Sequence, residues 1–260
     1  MERKSTSCLG EGRFILPPIL PSLSEREVRM WHEAFTSARR HRSTNSEAVN
    51  TRPNMIDQCR SDDNALCHDL MTKYGFTEEQ MHRAAERFKL GRSKSGKTIY
   101  WMIDDLGRCL DGRIGGEAWV STMIKRRYHD LIHLIPPTTH CFFGLHQVSQ
   151  GDPMPIGIVE SERSAVILSE VQPKLIWLAY VYAANCTIEQ FAPLQGYKVT
   201  LYPRTDPCQE IYVSFLELAD QIRRVYRDID ITVSAFLEDH ASESQKSHHI
   251  DLVDFLFPTK

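Results

Sequence analysis

The most telling succession of apolar and polar segments lies between Met154 and Asp206. An apolar run, Ile156–Val159, ends in Glu160, and a helical pattern over Arg163–Val171 follows at once. A second run, Leu175–Ala179, is followed by a helical segment near Ile188–Pro193. A third run, Lys198–Tyr202, ends in Pro203-Arg204-Thr205-Asp206. Strand-like runs separated by helical patterns predict an α/β unit with a parallel sheet and crossover helices. Ligands gather at the C-terminal strand ends of such sheets, so Glu160 and Asp206 are the first candidates for chemistry. A long helix is expected over about 209–227, with Ile211, Phe215, Leu218, Ile222 and Val225 as one apolar stripe. A last strand over Ile229–Phe236 and a short helix over Ile250–Leu256 complete this part.

The pattern upstream is more mixed. Ser24 and Glu27 form a capping-box pair for a helix over about 25–40, and the polar stretch 41–55 reads as a linker. A helix over Asp62–Tyr74 stops at Gly75, and Thr77 caps another over Glu78–Phe88. Thr98–Ile103 is β-branched and aromatic, hence a strand, and Arg108–Ile114 returns beside it after the turn at Asp104–Gly107. Tyr128–Ile135 fits helix or strand, and Phe142–Val148 leads to a turn at Gly151-Asp152-Pro153. The chain thus divides into an N-terminal arm and linker (1–55), a smaller α+β basic region (56–150) and a parallel α/β domain (151–260).

Composition narrows the function classes. With 260 residues, 42% hydrophobic and 25% charged, the chain is an ordinary soluble globular protein. No apolar run approaches a membrane span and no signal peptide opens the chain, which points to the cytoplasm and away from membranes. Seven scattered cysteines with no CxxC pair argue against a zinc knuckle and for reduced, buried thiols. The net charge of −3 hides an asymmetry: residues 88–127 carry +5 and residues 151–260 carry −7. An acidic domain beside a basic segment suits a division of labour between metal and phosphate.

Gly91-Arg92-Ser93-Lys94-Ser95-Gly96-Lys97-Thr98 satisfies GxxxxGK[ST] in full. A true phosphate loop needs a buried strand before it and a helix after it. Here a charged helical segment precedes and a strand follows, so a basic turn entering a strand is expected. Its Arg92, Lys94 and Lys97 are candidates for contacts to a nucleic-acid backbone. Tyr100, Trp101 and Trp119 are candidates for base stacking, with a core role as the alternative.

Phosphoryl transfer on nucleic acid commonly uses a divalent cation held by carboxylates. Magnesium needs only one or two of them, and Glu160 with Asp206 would meet that need; manganese is the alternative ion. Glu162 is either a third member or an acid at a helix start. His140 and His146 could bind metal as a pair but read better as structural histidines, and Asp251 and Asp254 could cap a short helix or bind a partner.

Val159-Glu160-Ser161-Glu162 after an apolar strand resembles the glutamate motif of the toprim fold shared by topoisomerases and bacterial primases. Several ordered pieces are similar to a family of toprim-like, primase-related proteins of bacterial mobile elements. They include Thr98–Asp104, Cys141–Gly144, Ile158–Ala165, Ile176–Ala179 and Asp251–Leu256, spanning about residues 64–257. The resemblance implies a toprim-like, compact Rossmann-type sheet in the C-terminal half. It implies Glu160 as general acid/base and an Asp-x-Asp motif holding magnesium. The sequence departs from that motif, having Arg204-Thr205-Asp206, so only Asp206 carries over. Arg204 puts a positive charge where a metal ligand is expected; it weakens metal binding or itself engages phosphate.

Two functions follow as expectations. One is a magnesium-dependent enzyme on nucleic acid, single-stranded DNA foremost, performing primase-like nucleotidyl transfer or strand cleavage. The other is a non-catalytic DNA-binding accessory module with a degraded toprim metal site. A nucleotidase using Lys97 is a third class.

Overall fold

Strands covered on both faces must be apolar throughout, and two short runs of this chain meet that demand. They are β5 (Ile156–Val159) and β6 (Ile176–Ala179), every residue of which is buried. The structure, a computed structural model, describes residues 55–127, 141–150, 154–181 and 186–258. The expected arm and linker at 1–55, the segment Tyr128–Ile135, His140 and the turn at Gly151 lie outside the described residues, Met55 excepted.

Ahead of these strands come α1 (Met55–Cys59), α2 (Ala65–Thr72) and α3 (Glu78–Arg87). Then β1 (Gly91–Arg92), β2 (Thr98–Ile103), β3 (Cys109–Ile114) and β4 (Ala118–Trp119) form an antiparallel sheet in sequential order, followed by α4 (Val120–Arg127). The second sheet is parallel throughout. It joins β5 and β6 to β7 (Lys198–Leu201) and β8 (Asp230–Val233) in the order β6-β5-β7-β8. Its crossovers are α5 (Glu162–Val171), a 3-10 helix (Ile188–Leu194) and α6 (Glu210–Val225). Three short helices end the fold: α7 (Phe236–His240), α8 (Glu243–Ser247) and α9 (Leu252–Leu256).

The expected parallel sheet is present, with strand limits within two residues of expectation except at the end. Ile229–Phe236 was expected as one strand. Pairing stops at Val233, and Phe236 opens α7. The stripe on α6 also differs. Phe215, Ala219 and Ile222 are buried, but Val225 is 57% exposed and Tyr226 packs inward instead. A strict 3.5-residue spacing drifts off the buried face of a 3.6-residue helix.

Alternation of side chains splits the parallel sheet into two cores. Ile156, Ile158, Leu178, Val199 and Leu201 pack against Phe215 and Ile222 of α6. Val159, Trp177 and Ala179 face Val166 and Leu168 of α5, together with Phe88 of α3 and Tyr100 and Met102 of β2. This second core therefore includes one face of each sheet. Gly157 is needed within it, since a Cβ there would lie 2.6 Å from the Trp177 ring. The helices are also tied by charge: Arg83 and Arg87 of α3 both reach Glu170 of α5, whose side chain is 4% exposed, at 2.8 Å.

Gly91–Thr98 forms the β1–β2 hairpin, with Ser93 N donating to Lys97 O and Gly96 N to Ser93 O, both at 2.9 Å. No helix follows the GK(S/T) residues; the phosphate-loop match is one of sequence only.

His146 lies in a 3-10 helix (Leu145–Gln150), fully buried, as the structural reading expects. Its Nε2 is 3.0 Å from the Arg87 carbonyl. Burial pushes its pKa down to about 4, the Arg87 carbonyl opposing and Lys89 assisting. The folded value lies below the unfolded one. The stability it contributes is therefore full above about pH 6.5 and is lost as pH falls toward 4, by about 3 kcal/mol. Chemical denaturation of the parent and His146→Asn at pH 7 and pH 4 should show the larger acid loss in the parent. Equal losses would contradict this.

Candidate functional site

In a parallel sheet of this order, the first strand and the third lie side by side while their crossovers leave in opposite directions. The C-terminal ends of β5 and β7 thus form a topological switch point, where a crevice opens. Glu160 is the first residue after β5, and Arg204 lies three residues beyond β7. Their side chains meet there, Arg204 Nε 3.3 Å from Glu160 Oε2. Both line a cavity of about 350 Å3.

The cavity is walled from three directions. The parallel sheet supplies Glu160, Val181 and Arg204, and the start of α5 supplies Ser161 to Arg163. The antiparallel sheet supplies Tyr100, Arg113 and the Gly115-Gly116 turn. The C-terminal segment adds His249, Asp251 and Asp254. Two lining residues hold backbone conformations that side chains disfavour: Val181 at φ 72° and His249 at φ 51°. A β-branched residue there is strained, and such strain clusters at functional sites. Val181 is held in place by its N–H, which donates to Glu160 O at 2.8 Å.

Each carboxylate of the pocket has a distinct environment. Burial raises the pKa of Glu160; Arg204 opposes the rise and the Asp251 charge adds to it. Glu162 opens α5, as the helix-start reading expects, but it is also buried and 2.7 Å from the buried Arg113 of β3. Burial pushes Glu162 up, against the pull of Arg113. Arg113 also donates to Gly116 O, so one side chain fixes the turn that rims the cavity. Asp251 caps α9 through Asp254 N at 2.9 Å and accepts from Ser164 Oγ. Its pKa is raised by burial above all. Asp254 pairs with Arg163 at 3.1 Å.

Asp206 goes elsewhere. The residues after β7 turn in three directions. Arg204 reaches Glu160, Thr205 donates to Glu238 Oε1 at 2.8 Å, and Asp206 caps α6. Asp206 Oδ1 accepts from Cys208 N and Glu210 N, and Oδ2 from Ile211 N at 2.9 Å. Burial raises its pKa, but these amides prevail and hold it below the usual carboxylate range. Asp206→Ala should destabilise the fold by about 1–2 kcal/mol at pH 7. Because the folded pKa is the lower one, this contribution is present above about pH 4 and fades below it. A urea midpoint unchanged at pH 7 would contradict the capping role.

Magnesium was expected on Glu160 and Asp206. The donors as they stand do not fit it: a guanidinium covers Glu160, and backbone amides occupy both oxygens of Asp206, which does not line the cavity. Among the described residues, no three His, Cys, Asp or Glu side chains converge as a metal-binding group.

Of the hairpin residues, Lys97 adjoins the cavity through Gly115. Lys97 packs on Gly115 and pairs with Glu117 at 2.9 Å, Arg92 pairs with Asp63 at 3.4 Å, and Lys94 is exposed. Of the aromatic candidates, Tyr100 lines the cavity, Trp101 is core, and Trp119 lies under Arg113 at 5.4 Å. Among the described residues, no helix is long and apolar enough to cross a membrane.

Residues 64–205 match the family described as a domain of unknown function, DUF6371. The chain belongs to that family. The matched span begins at the cap of α2 and ends at Thr205, so it contains both sheets up to β7 and the Glu160–Arg204 pair. Asp251 and its segment lie beyond it. Two solved structures are similar to this chain. The catalytic core of DnaG shares 13% identity over 78% of each chain, with a TM-score of 0.43. The DnaG primase catalytic domain bound to ssDNA shares 14% over 90% of this chain and 86% of that one, with a TM-score of 0.38. No curated protein matches.

Proposed function

We propose that this chain is a toprim-like module that binds nucleic acid, single-stranded DNA foremost, by drawing a backbone phosphate into the switch-point pocket with Arg204. The observation that carries the reading is the Glu160–Arg204 ion pair. It fills the place where the toprim resemblance calls for a metal with a guanidinium, a group suited to bidentate phosphate binding. The Arg204 side chain is 43% exposed, and its Nε lies 3.3 Å from Glu160. Burial raises the proton affinity of Glu160 and Asp251, which reduces their repulsion of an incoming anion.

Arg92, Lys94 and Lys97 then track the strand beyond the pocket. The pairs Arg92–Asp63 and Lys97–Glu117 are exposed, worth about 0–1 kcal/mol, and yield to phosphate. Association with a mobile element belongs to this proposal through the same resemblance.

A second reading is the magnesium-dependent enzyme, with Glu160 as acid/base in nucleotidyl transfer or strand cleavage. It is favoured by the position of Glu160 at the end of β5 and its raised proton affinity. A magnesium and manganese titration of single-stranded DNA binding separates the two, using the parent and Glu160→Gln. Binding indifferent to metal supports the first reading. Binding that needs metal and fails in Glu160→Gln supports the second.

A further inference from the structure

The parallel pair β5–β6 stays in register from Ile156 opposite Ile176 to Val159 opposite Ala179. The pairing continues past the strand ends, for Tyr180 N donates to Val159 O at 3.1 Å and Val181 N to Glu160 O at 2.8 Å. Residues level with each other on parallel strands present side chains to the same face. Tyr180 therefore lies level with Glu160 along the backbone, and its ring packs on the face that carries Ile158 and Leu178.

Tyr180 is 3% exposed, and its ring lies 5.1 Å from Phe215 of α6. Among the described residues its hydroxyl has no hydrogen-bond partner. Buried hydroxyls are seldom left so, and one that feels the charge of Glu160 points to a partner engaged only in another state of the site. Burial and the Glu160 charge both raise the phenol pKa, so the group remains a donor.

We propose that Tyr180 is a positioning residue: when a ligand phosphate takes the Arg204 guanidinium, the Tyr180 hydroxyl donates to the Glu160 carboxylate that Arg204 leaves. The phosphate then meets Arg204 with Glu160 held aside rather than competing for it. No bond other than hydrogen bonds changes. The inference rests on the phosphate-binding reading above.

Tyr180→Phe removes only the hydroxyl. Without ligand, that oxygen has no partner to lose, so the melting temperature of the variant should equal or exceed the parent's. Its affinity for oligothymidylate, read by fluorescence anisotropy, should fall about tenfold, as for a lost hydrogen bond to a charged group. In a Glu160→Ala background, Tyr180→Phe should change the affinity no further. Affinity equal to the parent's, in a protein whose Arg204→Ala variant fails to bind, would overturn this inference and leave the reading beneath it standing. A tenfold loss that persists in the Glu160→Ala background would also overturn it, because Tyr180 would then act without Glu160. A parent that binds no oligothymidylate would overturn both.

Discussion

Replacing Glu162 with alanine should lower the stability of the fold by about 3–5 kcal/mol. Glu162 and Arg113 are both buried, 2.7 Å apart, and lie on different sheets' elements. Removing one partner leaves the other charge in a low-dielectric interior. That is far more damaging than removing a surface pair, because hydration no longer compensates. The Gly116 carbonyl accepts from Arg113 but carries no charge to balance it. Glu162→Gln retains an acceptor and should cost less. A double replacement, Arg113→Met with Glu162→Leu, should recover much of the loss. Urea denaturation of the four proteins measures this; a loss below 1 kcal/mol in Glu162→Ala would show that Arg113 finds water or another partner. The effect should also reach the site, since Arg113 holds the Gly115-Gly116 turn that rims the cavity.

Arg204→Ala should weaken single-stranded DNA binding by about 10- to 100-fold, the worth of a charged hydrogen-bonded contact. Arg204→Lys should recover only part of it, because an ammonium lacks the planar fork that meets two phosphate oxygens. The stability change should be small, since both members of the Glu160–Arg204 pair are partly exposed. Screening limits such pairs to about 0–1 kcal/mol. An affinity drop without a stability drop is therefore the expected signature. If Arg204→Ala binds as the parent does, the pocket is not the phosphate site, and the hairpin residues Arg92, Lys94 and Lys97 become the place to look.

The parallel sheet was legible because its strands are short, apolar and followed by polar residues that begin helices. Glu160 was legible for the same reason: it is the first residue after an apolar run. Asp206 was not, because the sequence distance from β7 says nothing about which way a side chain turns. Three successive residues after Pro203 face three different partners, and of these three Arg204 is the one that lines the pocket. Asp251 reads from sequence as a helix cap, and it is one. Its second role, beside Glu160 and under Ser164, depends on a contact across 87 residues that no local pattern encodes. The Glu162–Arg113 pair was half legible. An acid at a helix start is a local signal, but its partner lies in the other sheet. Tyr180 carried no signal at all, since an aromatic at a strand end is ordinary core. Only the strand register and the unpaired hydroxyl mark it out.

The most direct test of the account is the binding of fluorescent oligothymidylate to the parent and to Arg204→Ala in the presence of EDTA. The account predicts that the parent binds without divalent metal and that the variant loses at least tenfold in affinity. Binding that appears only when magnesium or manganese is restored, and that survives the loss of Arg204, would contradict it.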